Sequence, residues 1–81
     1  MARVVFSRAQ SELVGGAESV EIDARRVADL LRALYEQFPR LAGQLDHAAV
    51  AIDGDIHNDA RFLPLEPTSE VHFMGQVSGG A

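Results

Sequence analysis

The stretch DARRVADLLRALYEQFPR, residues 23–40, decides how the rest of the chain must fold. Val27, Leu30, Leu31, Leu34 and Phe38 recur at intervals of three and four, which places them on one stripe of a helix. Asp23 stands where an N-cap belongs, a short side chain able to accept from the first unpaired N–H groups. Arg25, Asp29, Arg32, Glu36 and Arg40 fall on the opposite side. Arg32 and Glu36, and Glu36 and Arg40, are four apart, the spacing of weak ion pairs on a solvated face. Pro39 lacks an N–H and crowds the preceding turn, so the helix stops or kinks there. Leu41 and Leu45 then supply apolar contacts from an irregular segment. An amphipathic helix of this kind must bury its stripe against another layer.

The flanks supply a sheet. Upstream, Arg3-Val4-Val5-Phe6-Ser7 is β-branched and aromatic and predicts a first strand, followed by the polar run Arg8-Ala9-Gln10-Ser11-Glu12. Glu12-Leu13-Val14-Gly15-Gly16 reads as a short apolar turn closed by glycines, and Ser19-Val20-Glu21-Ile22 alternates as a second strand. Downstream, Ala49-Val50-Ala51-Ile52 runs into Asp53-Gly54, a dipeptide suited to a tight hairpin because both positions need positive φ. Asp55-Ile56-His57 returns antiparallel. Leu63-Pro64-Leu65 is a proline-limited apolar piece, Glu66-Pro67-Thr68-Ser69 a turn, and Glu70-Val71-His72-Phe73-Met74 the last strand. Within it Val71 and Phe73 face the core. His72 and Met74 face outward, leaving Met74 an exposed, soft apolar group. The order β-β-α-β-β-β predicts an α+β fold of the ubiquitin-like β-grasp type, with a mixed sheet wrapped around one main helix. The folded domain spans residues 1–74 and a flexible tail spans residues 75–81, where Gly79 and Gly80 lack a Cβ and can thread a narrow channel.

Composition narrows the function. With 81 residues there is room for one small core, and with no cysteine there is no disulfide framework, thiolate metal site or cysteine nucleophile. A net charge of -5 without a basic cluster argues against nucleic acid and favours a basic protein surface as partner. All seven basic residues are arginine. No apolar run approaches the roughly 20 residues of a membrane span, and the start of the chain lacks a basic region followed by an apolar one. The chain thus reads as soluble and cytoplasmic, with neither membrane nor nucleic acid as partner. Asp53, Asp55, His57, Asn58 and Asp59 offer ligand groups, but successive side chains on an extended segment diverge and the calcium-loop pattern is missing, so no metal site is expected. The three histidines are scattered without a nucleophile, which argues against an enzyme.

Against that background the tail gains weight. The segments Val4–Gly15, Ala24–Leu31 and Pro64–Phe73, followed by Val77-Ser78-Gly79-Gly80, resemble the ubiquitin-like sulfur-carrier proteins, in particular the small subunit of molybdopterin synthase, with the thiamine-pathway sulfur carrier as a shorter relative. The most specific feature is the glycine pair beyond an E-V-aromatic strand. The resemblance implies a protein cosubstrate with no bound cofactor. Its terminal glycine carboxylate is adenylated by an E1-like activating enzyme using ATP and magnesium, converted to a thiocarboxylate by a sulfur donor, and inserted into a sulfur-accepting synthase subunit. The matching residue is Gly80, with Gly79 beside it; Met74, Val77 and Ser78 are the implied partner contacts. Two features depart from the family. Ala81 follows Gly80, so a peptidase removes it, or it is not native to the protein, or the terminus does not carry sulfur, and Met74-Gly75-Gln76 stands where the molybdopterin subunit commonly has prolines. The rival readings are a ubiquitin-like modifier joined to amines through Gly80, and a β-grasp interaction module with an inert tail.

Overall fold

A computed structural model describes residues 1–74. Five strands form one mixed sheet in the order β2-β1-β5-β3-β4, from β1 (Ala2–Val5), β2 (Ser19–Ile22), β3 (Ala49–Ile52), β4 (Asp55–His57) and β5 (Glu70–Met74). The two hairpins are antiparallel, whereas β1 and β5 pair in parallel at the centre, with Val4 opposite Val71 and Val5 opposite His72. The expected α+β β-grasp architecture is therefore present, with helix α2 (Val27–Gln37) laid across one face of the sheet.

The helix stripe faces the sheet as its spacing requires. Val27, Leu30, Leu31 and Leu34 are buried against Val4, Val50, Val71 and Phe73, with Leu41 and Leu45 closing one end. Phe38 is only partly buried; it caps the helix end and meets Phe6 edge-on, with ring centroids 6.0 Å apart. Pro39 does end the α-helix, and Pro39–Leu41 continues as a single 3-10 turn.

The helix begins later than its sequence suggests. The N-cap is Arg26, without a side-chain cap bond, rather than Asp23. Residues around Arg25 instead run alongside the 61–65 loop: Arg26 bridges Pro64, and Leu65 N–H donates to Arg25 O at 2.7 Å. Val27 and Ala28 N–H donate to Leu63 O and Arg61 O, so a neighbouring loop satisfies donors that a cap residue would otherwise serve. The ion-pair expectation is also corrected. Among the described residues Arg32 pairs with Asp29 at 3.7 Å, not with Glu36, and Arg40 lies past Pro39 where helical spacing no longer applies. Both partners of that pair are well exposed, so its contribution is slight.

A second helix, α1 (Arg8–Leu13), occupies the segment read as a polar run and an apolar turn. It is capped on both counts: Ser7 Oγ accepts from Gln10 N–H at 3.2 Å and Gln10 Oε1 accepts from Ser7 N–H at 3.0 Å. The first strand therefore ends at Val5, and Phe6 and Ser7 belong to the turn into α1. Gly15 and Gly16, at φ +79° and +91°, reverse the chain after it.

Candidate functional site

Of the expected site residues, Met74 stands at the end of β5, the last described part of the chain. Gly75, Gln76, Val77, Ser78, Gly79, Gly80 and Ala81, among them the other expected site residues, lie outside the described residues. Alternation along β5 does what the sequence predicts. Val71 and Phe73 are buried beneath α2, while Met74 is 38% exposed on the opposite face.

Register assembles that outer face across four strands. Val5 lies opposite His72, His72 opposite Ala51, and Ala51 opposite Ile56, so these four form a row; Ala49 lies opposite Met74 one step along. The row is apolar except for His72, whose Nε2 is 3.2 Å from Glu70 Oε1. Ile56 is 61% exposed, which gives this face a protruding aliphatic group at the β4 edge. An apolar row on the outer side of a small sheet, beside the end of β5, is suited to docking a partner. Sequence reasoning found Met74 but missed its companions, because strand order rather than local pattern brings β1, β5, β3 and β4 side by side.

Two polar devices hold the region. Asp53 N–H donates to Glu70 O at 2.9 Å and Asp53 Oδ1 accepts from Glu70 N–H at 2.9 Å, which ties the β3–β4 turn to the start of β5. This commits a carboxylate that could otherwise have served as a ligand. At the far end Gln10 Nε2 donates to Phe73 O at 2.8 Å, so the capping residue of α1 also grips the last buried residue of β5. Gln10 was missed as a site residue; the Ser7-x-x-Gln10 spacing was its available signal. An open groove of about 300 Å³ flanks this contact, lined by Gln10, Leu13, Leu41, Leu45 and Ala48. Beyond it, Tyr35 O–H donates to Asp46 Oδ1 at 2.8 Å and accepts from Leu45 N–H at 3.0 Å, pinning the loop that leads into β3. Burial, reinforced by the Asp46 contact, pushes the Tyr35 phenol up to about 12. No helix among the described residues is long and apolar enough to cross a membrane.

Comparison with known structures places this arrangement. A chain of the Amycolatopsis orientalis BexX/CysO complex superposes with a TM-score of 0.85 at 13% identity, covering 99% of this chain and 100% of that one. Small archaeal modifier protein 1 from Methanosarcina acetivorans gives 0.82 at 19% identity, covering 98% and 95%. A candidate molybdopterin converting factor subunit 1 from Pyrococcus furiosus gives 0.76 at 15% identity, covering 90% and 93%. At these identities the likeness establishes the fold. Comparison with curated protein sequences gives no match. The sequence itself, over residues 4–80, matches the ThiS family from the first strand through to the second glycine of the tail. This chain belongs to the ThiS family of ubiquitin-like sulfur carriers.

Proposed function

We propose that this protein is a sulfur-carrier cosubstrate whose working group is the carboxylate of Gly80, freed by removal of Ala81. The observation that carries the reading is the family match, which runs to Gly80 and leaves Ala81 outside it. A carboxylate is a poor electrophile, so it must first acquire a leaving group. In the proposed sequence an E1-like enzyme, with ATP and magnesium, joins the Gly80 carboxylate to the α-phosphate and releases pyrophosphate. A sulfide equivalent then attacks the acyl carbon and expels AMP, leaving a thiocarboxylate. Gly79 and Gly80 present no side chain to the channel that admits them, and Val77 and Ser78 guide the tail. Met74 and the apolar row beside it form the docking face for a sulfur-accepting synthase subunit in the cytoplasm, with molybdopterin as the favoured product. The protein itself performs none of the chemistry.

The likeness to a small archaeal modifier protein supports a second reading, in which Gly80 is joined to a target amine. Intact mass separates the two. Protein from its native cell is compared with a sample incubated with an activating enzyme, ATP and sulfide. Loss of Ala81 followed by exchange of one oxygen for sulfur is the expected result. A chain that keeps Ala81 and never gains sulfur overturns the carrier reading, and isopeptide adducts in cell extract favour the modifier.

A further inference from the structure

Gln10 is one of two buried polar residues among those described, and its carboxamide stands where a rung of the sheet is missing. In the parallel β1–β5 pair, Arg3 N–H donates to Ser69 O at 2.9 Å. Parallel ladders repeat every two residues, so Val5 N–H is directed to Val71 O and the next donor in line is Ser7 N–H, aimed at Phe73 O. That last bond does not form, because β1 ends at Val5 and the chain turns into α1. Ser7 N–H donates instead to Gln10 Oε1 at 3.0 Å, and Gln10 Nε2 donates to Phe73 O at 2.8 Å. The side-chain amide is thus inserted between the two backbone groups like an extra peptide unit. It accepts on one side and donates on the other. Glutamine meets both demands at this reach; a carboxylate offers only acceptors and a thioether offers no donor.

We propose that Gln10 is the positioning residue that fixes where the fold ends and the tail begins. Phe73 is one residue before Met74, so the relay holds the β1 side of the end of β5 where β1 no longer can, while Ala49 of β3 pairs with Met74 on the other side. The consequence for sulfur transfer rests on the carrier reading above. A chain held firm through Met74 meets the activating enzyme with the end of β5 already ordered, whereas a frayed strand end leaves one or two more residues to be ordered on docking. Fixing one residue's backbone costs enough to weaken engagement about five- to thirtyfold.

The order measurements use the full chain and the activating-enzyme measurements the same chain after removal of Ala81, each with Gln10→Met, Gln10→Glu and Ser7→Ala. Ser7→Ala removes the hydroxyl cap of α1 but leaves both relay bonds, which involve only the Ser7 backbone, and so controls for loss of helix stability. Backbone order parameters at Met74 and exchange protection of the Phe73 amide are expected to fall in Gln10→Met and to hold in Ser7→Ala. In Gln10→Glu they are expected to be low at neutral pH, where the carboxylate faces the Phe73 carbonyl, and to recover once protonation restores a donor. With the activating enzyme, Gln10→Met is expected to raise KM for the carrier about five- to thirtyfold with kcat retained. Unchanged order at Met74 in Gln10→Met, an equal loss in Ser7→Ala, or reduced order with unchanged KM each overturns the proposal. If the chain without Ala81 and with Gln10 unaltered is never adenylated, the carrier reading alone has failed, and the order parameters and the pH recovery still decide whether Gln10 holds the end of β5.

Discussion

Tyr35 joins a helix to a loop with a single oxygen, donating to Asp46 and accepting from Leu45. Its phenol is raised from 10.0 to about 12, so the unfolded chain gives up this proton before the folded chain does. The contribution is complete below the unfolded value and is lost as pH rises from about 10 to about 12. Urea midpoints followed from pH 8 upward should therefore fall through that window, and Tyr35→Phe should flatten this part of the profile. At neutral pH the same variant should cost about 1 kcal/mol, because the Leu45 amide and the Asp46 carboxylate lose a partner at a partly exposed site. Gly54 is the other informative residue. Its φ of +92° follows Asp53 at +51°, and the space where a Cβ would sit is empty. Gly54→Ala should thus cost only backbone strain, about 1–2 kcal/mol, measured as a shift in the unfolding midpoint without loss of the fold. That turn was legible in the sequence, because Asp-Gly chemistry is local. The Asp53 link to Glu70 was not, since it joins residues brought together only by the sheet.

At the scale of elements, α2 and α1 make a contrast. The α2 stripe was readable because five apolar positions at helical spacing leave no other periodicity. Helix α1 has six residues, too few for a stripe, and announces itself only through its cap. Its amphipathic signal is short, and Gly15 and Gly16 draw attention to the turn that follows rather than to the helix. The Asp23 cap failed for a related reason: a capping side chain is optional when a neighbouring loop can accept the first N–H groups, as Leu63 O and Arg61 O do here. Phe6 and Phe38 connect the two regions, one from the turn into α1 and one from the end of α2, through an edge-to-face contact. A double-mutant cycle with Phe6→Leu and Phe38→Leu should give a coupling of about 0.5–1.5 kcal/mol in chemical unfolding, whereas independent additive losses would mean that the rings contribute only buried area.

Across the whole molecule, the core and the proposed docking face occupy opposite sides of one sheet, so they can be perturbed separately. Ile56→Asp places a charge at the exposed β4 end of the row, beside the buried Ala51 and on the opposite face from the helix stripe. It should leave thermal unfolding within about 0.5 kcal/mol of the parent and weaken capture by a synthase subunit at least tenfold in a direct binding measurement. Removal of Gly79, Gly80 and Ala81 should do the reverse of a docking mutation: partner binding persists while sulfur loading, read by intact mass, is abolished. The sequence by itself determined the helix stripe, the Asp-Gly hairpin, the inward Val71 and Phe73, and the glycine pair that ends the family match. Each of these depends on periodicity or on the conformational limits of adjacent residues. Only the tertiary structure decided that Val5, His72, Ala51 and Ile56 form one row, that a loop rather than Asp23 serves the start of α2, and that Gln10 completes the ladder at Phe73. Those arrangements join groups far apart in the chain, and a buried amide chooses its partners from whatever donors and acceptors the fold brings within about 3 Å.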